Sequence, residues 1–205
     1  QWTSAVFTPD GSGIVMADVS RYRVKFLFND GFERQFKAST SVACSPDGGS
    51  VAVFSERGVT ILTMAEVREG GRGKTFGPKG KSWRAAAFSP DGDRLAANNY
   101  RDDVVLVIDP HAHKVLATLH NPTKPDRKLR RVGAIGFSTD GARLFIGCDT
   151  DFSRFSDSDE MCIGVWSQPG HQYLGAALLN ARENRVVLVS ASGFYGSAHK
   201  SKSKS

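Results

Sequence analysis

The chain has 205 residues, of which 40% are hydrophobic and 23% charged, and its formal net charge is +6. This composition is typical of a globular domain and argues against disorder; the lack of any apolar run of about 18 residues argues against a transmembrane helix. Three cysteines are too few for a complete disulfide framework. We interpret these cysteines as reduced core residues and therefore expect an intracellular, cytoplasmic protein. Its positive charge favours a polyanionic partner.

A short turn signal recurs along the chain at intervals of roughly 40 residues. Its five copies are Phe7-Thr8-Pro9-Asp10-Gly11, Cys44-Ser45-Pro46-Asp47-Gly48, Phe88-Ser89-Pro90-Asp91-Gly92, Phe137-Ser138-Thr139-Asp140-Gly141 and the degenerate Leu179-Asn180-Ala181-Arg182-Glu183. In such a turn proline presets φ, aspartate hydrogen-bonds back to the backbone, and glycine accepts a positive φ. Since β-rich runs flank each copy, each predicts a β-hairpin.

The strands predicted around these turns form repeating units of four. In chain order they are 5–7, 13–17, 24–28 and 32–36; 41–44, 50–54 and 59–62; 85–88, 94–97, 104–108 and 114–119; 134–137, 143–147, 162–166 and 172–175. The second unit shows no clear fourth strand, and a fifth unit has two strands ending near Val189. Four short strands in roughly 40 residues are typical of one β-propeller blade. The predicted class is therefore all-β.

These units resemble WD-repeat propellers, a family of four-stranded blades around a central channel. The third unit also resembles the YVTN-type bacterial repeat, through residues 89–95, 104–109 and 114–118. No unit carries the Gly-His pair of WD repeats, and the Trp-Asp end is approached only by Val165-Trp166-Ser167. The hydrogen-bond tetrad of the family is therefore not carried over. The resemblance implies a platform for partners.

The repeat divides residues 1–193 into blades at approximately 1–38, 39–80, 81–131 and 132–175, with a partial blade at 176–193. Residues 194–205 form a basic tail that is expected to be disordered. About 4.5 to 5 blades are thus visible, whereas WD-repeat propellers most often have about seven. An open arc leaves an apolar blade face uncovered. We therefore expect part of a larger propeller, with the remaining blades supplied by the same polypeptide or by another chain.

Two basic loops are predicted to lie side by side on the face formed by the connections between blades. Their cations are Arg68, Arg72, Lys74, Lys79, Lys81 and Arg84 in the first, and Lys124, Arg127, Lys128, Arg130 and Arg131 in the second. They predict a positive patch that contacts phosphates and gives strongly salt-dependent binding. An acidic insert over 149–160 offers Phe152 and Phe155 as anchors for a protein partner.

Three functions remain open from the sequence. The first is a non-enzymatic protein–protein interaction scaffold within a multi-protein assembly. The second is an RNA- or polyanion-binding subunit of a ribonucleoprotein that uses the basic loops. The third is a YVTN-like propeller of a periplasmic or extracellular redox system, which a disulfide between Cys148 and Cys162 would favour.

Motifs with their own chemistry are missing from the sequence. It contains no P-loop, no nucleophile elbow and no Cys-x-x-Cys. The acidic insert lacks the regular spacing and glycine of a calcium loop, and His111 and His113 follow Pro110 in a predicted turn. We therefore expect no catalytic residue, no metal and no cofactor.

Overall fold

The computed structural model describes residues 4–37, 39–77, 83–99, 104–120, 134–149, 160–180, 185–190 and 193–199. Within these ranges the chain forms four antiparallel sheets in which strands follow one another in chain order. Sheet one comprises β1 (Ser4–Phe7), β2 (Gly13–Asp18), β3 (Arg23–Phe28) and β4 (Glu33–Lys37). Sheet two comprises β5 (Ser39–Cys44), β6 (Ser50–Ser55), β7 (Gly58–Thr63) and β8 (Lys74–Phe76).

The second half of the chain is built in the same way. Sheet three comprises β9 (Trp83–Phe88), β10 (Leu95–Asn99), β11 (Val104–Asp109) and β12 (Lys114–Leu119). Sheet four comprises β13 (Ala134–Phe137), β14 (Arg143–Asp149), β15 (Glu160–Ser167), β16 (Tyr173–Asn180), β17 (Arg185–Ser190) and β18 (Gly193–His199). A 3-10 turn (Val19–Arg21) precedes β3, and a short helix, α1 (Met64–Glu69), lies between β7 and β8.

The four clear turn signals adopt one geometry, as predicted. In each, the glycine N–H donates to the Ser or Thr carbonyl three residues earlier at 2.9 Å, and the glycine φ lies between 68° and 80°. The Ser or Thr hydroxyl accepts a backbone N–H from the far side of the turn, as in Gly13 to Thr8 (2.9 Å) and Ser50 to Ser45 (2.8 Å). The hydroxyl hydrogen bond from Ser45 and the Gly49 N–H lower the pKa of Asp47 below its usual value.

Three apolar clusters fill the spaces between successive sheets. Sheets one and two share a cluster that includes Phe26 and Val51, and sheets three and four share one that includes Val107 and Trp166. Sheets two and three share a third cluster around Trp83. Because sheet two packs on both faces, residues 51–54 of β6 are all buried, whereas burial alternates along β3 of sheet one.

Successive hairpin turns also adjoin one another. A Cβ atom added to Gly48 would lie 3.7 Å from Cδ of Pro9, and one added to Gly92 would lie 3.6 Å from the carboxylate of Asp47. The first strands β5, β9 and β13 contact one another in the same order. The sheets are therefore stacked as successive blades.

The prediction that blade two lacks a fourth strand is wrong, because β8 pairs with β7. Helix α1 precedes β8, and the pattern Thr63-x-x-Glu66 explains why it forms. The Glu66 N–H donates to the Thr63 hydroxyl (3.1 Å) and the Thr63 N–H donates to the Glu66 carboxylate (2.8 Å), a reciprocal capping box. Gly70 ends the helix with a φ of 86°.

The end of the chain differs from the expected partial fifth blade over 176–193. Strands β16, β17 and β18 extend sheet four, which thus has six strands, so no sheet boundary falls at residue 175. Asn180 of the degenerate fifth signal pairs with Arg185 across β16 and β17. Residues 194–199 of the tail that was predicted to be disordered lie in β18, which pairs with β17. No helix in the described ranges is long and apolar enough to span a bilayer.

Candidate interaction surfaces

The antiparallel order gives each sheet two ends with different connections. One end carries the hairpin turns between first and second strands and the connections between third and fourth strands; we call it the turn end. The other carries the connections between second and third strands and those between sheets; we call it the loop end. Strand β12 ends at the loop end with Leu119, and β14 ends and β15 begins there, at Asp149 and Glu160.

Arg68 and Arg72 lie at the turn end, because they fall between β7 and β8. The prediction that they share a face with residues 120–131 is therefore wrong. Arg68 links sheet two to sheet one. Its Nη1 lies 2.6 Å from the Asp30 carboxylate, and its guanidinium lies 4.0 Å from the ring centre of Phe28. Arg72 is exposed.

Lys74 belongs to β8 rather than to a loop. Its Nζ donates a 2.9 Å hydrogen bond to the carbonyl of His113, in the turn between β11 and β12, so it ties sheet two to sheet three. The backbone of Arg84 lies in β9. These positions show that residues 68–84 are not one continuous loop.

The remaining predicted binding residues lie outside the described ranges. They are Lys79, Lys81, Lys124, Arg127, Lys128, Arg130, Arg131, Phe152 and Phe155. The positive patch and the aromatic anchors therefore stay predictions.

An apolar face of sheet one has no neighbouring sheet within the described residues. Phe7 pairs with Ile14, and Ile14 pairs with Leu27, so these three residues share the face opposite Phe26. Phe7 is 76% exposed, whereas Phe26 is fully buried. The outer strands of the same face carry charge, with Lys25 Nζ 2.7 Å from the Glu33 carboxylate. An apolar centre with a charged border is the composition expected of a protein interface.

Sheet four shows a similar face on its far side. Leu144 and Ile146 point towards sheet three and are fully buried. Phe145 alternates with them and pairs with Val165; both are half-buried. The two end sheets thus each present apolar residues away from the stack.

The loop end of sheet one carries a cation–aromatic segment that was not among the sites predicted from the sequence. Asp18, inaccessible to solvent, organises it by accepting from the Ser20 hydroxyl (2.6 Å) and from Arg23 (3.2 Å). The Ser20 hydrogen bond, opposed by burial and aided by the Arg21 N–H and Arg23, lowers the pKa of Asp18 to about 2. Tyr22 is 53% exposed and has a φ of 50°. The only sequence signal was the run Arg21-Tyr22-Arg23 between two strands.

Two further predictions concern cysteine and histidine. The register places Cys148 directly opposite Cys162 across β14 and β15. A disulfide between them, which would favour the periplasmic or extracellular redox function, stays a prediction. His111 and His113 lie in the predicted turn, and His111 Nε2 is 3.6 Å from the Asp93 carboxylate. In the described part of the chain, no three His, Cys, Asp or Glu side chains are grouped as metal ligands.

No protein-family model matches the chain, and no curated protein is significantly similar to it in sequence. Solved structures are similar in fold. Hydrazine synthase from Kuenenia stuttgartiensis aligns with a TM-score of 0.65 and 13% identity, over 91% of this chain and 54% of that one. U3-55K aligns with a TM-score of 0.61 and 16% identity, over 94% of this chain and 62% of that one.

The β-propeller domain of Cps50 (Swd1) from Myceliophteria thermophila aligns with a TM-score of 0.58 and 12% identity, over 98% of this chain and 74% of that one. The chain is therefore an all-β protein with the blades of a β-propeller, as predicted. It spans less than two thirds of the first two proteins. Since one neighbour is a synthase by name, the fold alone does not separate enzyme from scaffold.

Proposed function

We propose that the chain is a propeller segment acting as a non-enzymatic scaffold for protein–protein interaction in a cytoplasmic multi-protein assembly. The observation that carries the proposal is the uncovered apolar face of sheet one, on which Phe7 is 76% exposed. In every sheet-to-sheet contact of the described chain, the equivalent face is filled by an apolar cluster. We infer that further blades of a propeller of about seven cover this face, as the described sheets cover one another.

The size comparison supports the same proposal. The chain aligns over nearly its whole length with proteins that are considerably longer. The apolar residues Phe145 and Val165 on the far side of sheet four provide a second surface on which a blade would pack. The blades that cover these faces belong either to the same polypeptide or to a partner subunit.

A second candidate function is RNA or polyanion binding through the basic loops. It is favoured by the net charge of +6 and by the end of β12 at the loop end, since the basic residues 124–131 follow this strand in the sequence. Arg21 and Arg57 lie at this end as well. Phosphate contacts from such residues would give affinity that falls steeply with salt.

Native mass spectrometry of the endogenous protein, purified at low and then at high salt, tests the scaffold proposal. We expect protein subunits that remain bound at high salt, because apolar burial is not screened by ions. Nucleic acid bound only at low salt would support the second candidate instead. A single polypeptide of the mass of this chain under both conditions, free of any bound molecule, would contradict both.

A further inference from the structure

A cleft runs along the boundary between sheets one and two. It consists of two cavities of about 610 and 580 Å³ that share Lys37 as a lining residue. The first lies between the outer strands and is lined by Phe36 of β4 and Val53 of β6. The second lies at the loop end, beside Arg21 and Tyr22.

The first cavity is positively charged. Four cations and no carboxylate are found among its described lining residues: Arg34, Lys37, Arg57 and Arg72. The lining also includes the hydroxyls of Thr60 and Thr75, which lie 2.9 Å apart. A concave site lined by one sign of charge concentrates the field and attracts the opposite charge.

The cations that line the first cavity differ in whether their side chains have hydrogen-bond partners within the protein. Arg34 is held by the structure, since it donates to the carbonyls of Glu66, Val67 and Gly71 at 2.6–2.8 Å. Arg57 and Arg72 are exposed and have no side-chain partner in the described part of the chain. Two unpaired guanidiniums in one cleft are suited to phosphate groups, which accept paired N–H donors.

The second cavity adds an aromatic surface. Tyr22 lines it between Arg21 and Arg23, and Glu56 is the one carboxylate among its described lining residues. The Tyr22 backbone adopts a left-handed conformation that is uncommon outside glycine. Asp18 accepts from the Arg21 N–H and from the Arg23 guanidinium, so it fixes the segment on either side of the ring. An exposed aromatic ring beside cations is the arrangement on which bases of single strands stack.

We propose that a single-stranded nucleic acid binds in this cleft, with phosphates on Arg57 and Arg72 and a base stacked on Tyr22. An acidic peptide would be attracted by the same positive charge, but it carries no base that could stack on the ring of Tyr22. The proposal deepens the second candidate function and places the site between two sheets instead of in the loops. The first cavity lies on the face of sheet one that packs on sheet two, but Arg23, Gln35 and Lys37 of the second cavity share the face of Leu27, so the site reaches the edge of the face that the scaffold role uses.

Fluorescence anisotropy of a labelled single-stranded oligouridylate, titrated with the full chain at several NaCl concentrations, tests this proposal. We expect Arg57→Ala combined with Arg72→Ala to weaken binding at least about tenfold at low salt. The slope of log affinity against log salt should fall by roughly 1.4, about 0.7 for each phosphate that the variant no longer neutralises. Tyr22→Ala should weaken binding about fivefold or more, whereas Tyr22→Phe should bind like the wild type.

Two control variants separate the cleft from the surface charge and from the loops. Lys114→Ala combined with Arg143→Ala removes the same charge from exposed positions on sheets three and four, and should leave the slope nearly unchanged. Unaltered binding by the Arg57/Arg72 variant would overturn the proposal. Loss of binding confined to Arg130→Ala with Arg131→Ala would overturn it in favour of the loops. Equally tight binding of a labelled oligoglutamate, insensitive to Tyr22→Ala, would overturn it in favour of an acidic peptide.

Discussion

Phe26→Ala is expected to lower the free energy of unfolding by about 3–5 kcal/mol, the cost of removing a fully buried aromatic ring. The ring is inaccessible to solvent and lies in the cluster between sheets one and two, 5.7 Å from the ring centre of Phe36 and 6.4 Å from that of Phe28. Its removal leaves a cavity that the two sheets close only by moving relative to each other. Urea denaturation followed by circular dichroism measures this destabilisation.

Phe7→Ala is the matched control, because the same residue type is removed from the same sheet on its opposite face. With 76% of Phe7 exposed, the free energy of unfolding of the isolated chain should change by less than about 0.5 kcal/mol. Equal destabilisation by the two substitutions would mean that Phe7 is buried in the isolated chain, and that sheet one has no uncovered face.

Arg34→Ala is expected to lower the free energy of unfolding by about 2 kcal/mol, the loss expected when a charged donor is removed from part-buried carbonyl partners. Arg34 extends from β4 of sheet one to α1 of sheet two and donates to three carbonyls at the end of the helix. It also stacks on Phe36 at 4.7 Å. Truncation removes one donor from each of these carbonyls, of which that of Glu66 still accepts from the Gly71 N–H at 2.8 Å, and it removes a cation from the negative end of the helix.

Arg57→Ala provides the comparison, since Arg57 lines the same cleft but is exposed and has no side-chain partner in the described residues. Its unfolding free energy should stay within about 0.5 kcal/mol of the wild type. Thermal and urea denaturation of the two variants, measured side by side, give the difference. A neutral Arg34→Ala variant would show that the three hydrogen bonds of Arg34 add nothing measurable to the packing of the two blades.

The turns were the most predictable part of the fold, because their chemistry is local. Ser45, Asp47 and Gly48 each satisfy one requirement of a single tight turn, and these requirements can be read from one run of four residues. Helix α1 and strand β8 were missed because six and three residues are too short to show a period. The capping box at Thr63 and Glu66 was the available signal for the helix.

The candidate sites were less predictable for the opposite reason. Arg57 and Arg72 of sheet two come to line one cavity with Arg34 of sheet one only when the two sheets pack, and no spacing in the sequence shows this. For Arg68 the sequence predicted a binding role, whereas the structure gives it a role in packing. A cation in a glycine-rich segment suggests a binding loop, but the structure uses it between Asp30 and Phe28 to join two blades.

Hydroxyl-radical footprinting of Phe7 tests the central claim most directly. The measurement compares the isolated chain with the assembly purified from its natural source, and Leu116, 41% exposed on sheet three, serves as the internal reference. If further blades cover sheet one, the oxidation of Phe7 will fall sharply in the assembly while that of Leu116 stays constant. Equal oxidation of Phe7 in both samples would show that this face stays open, and would contradict the account of the chain as part of a larger propeller.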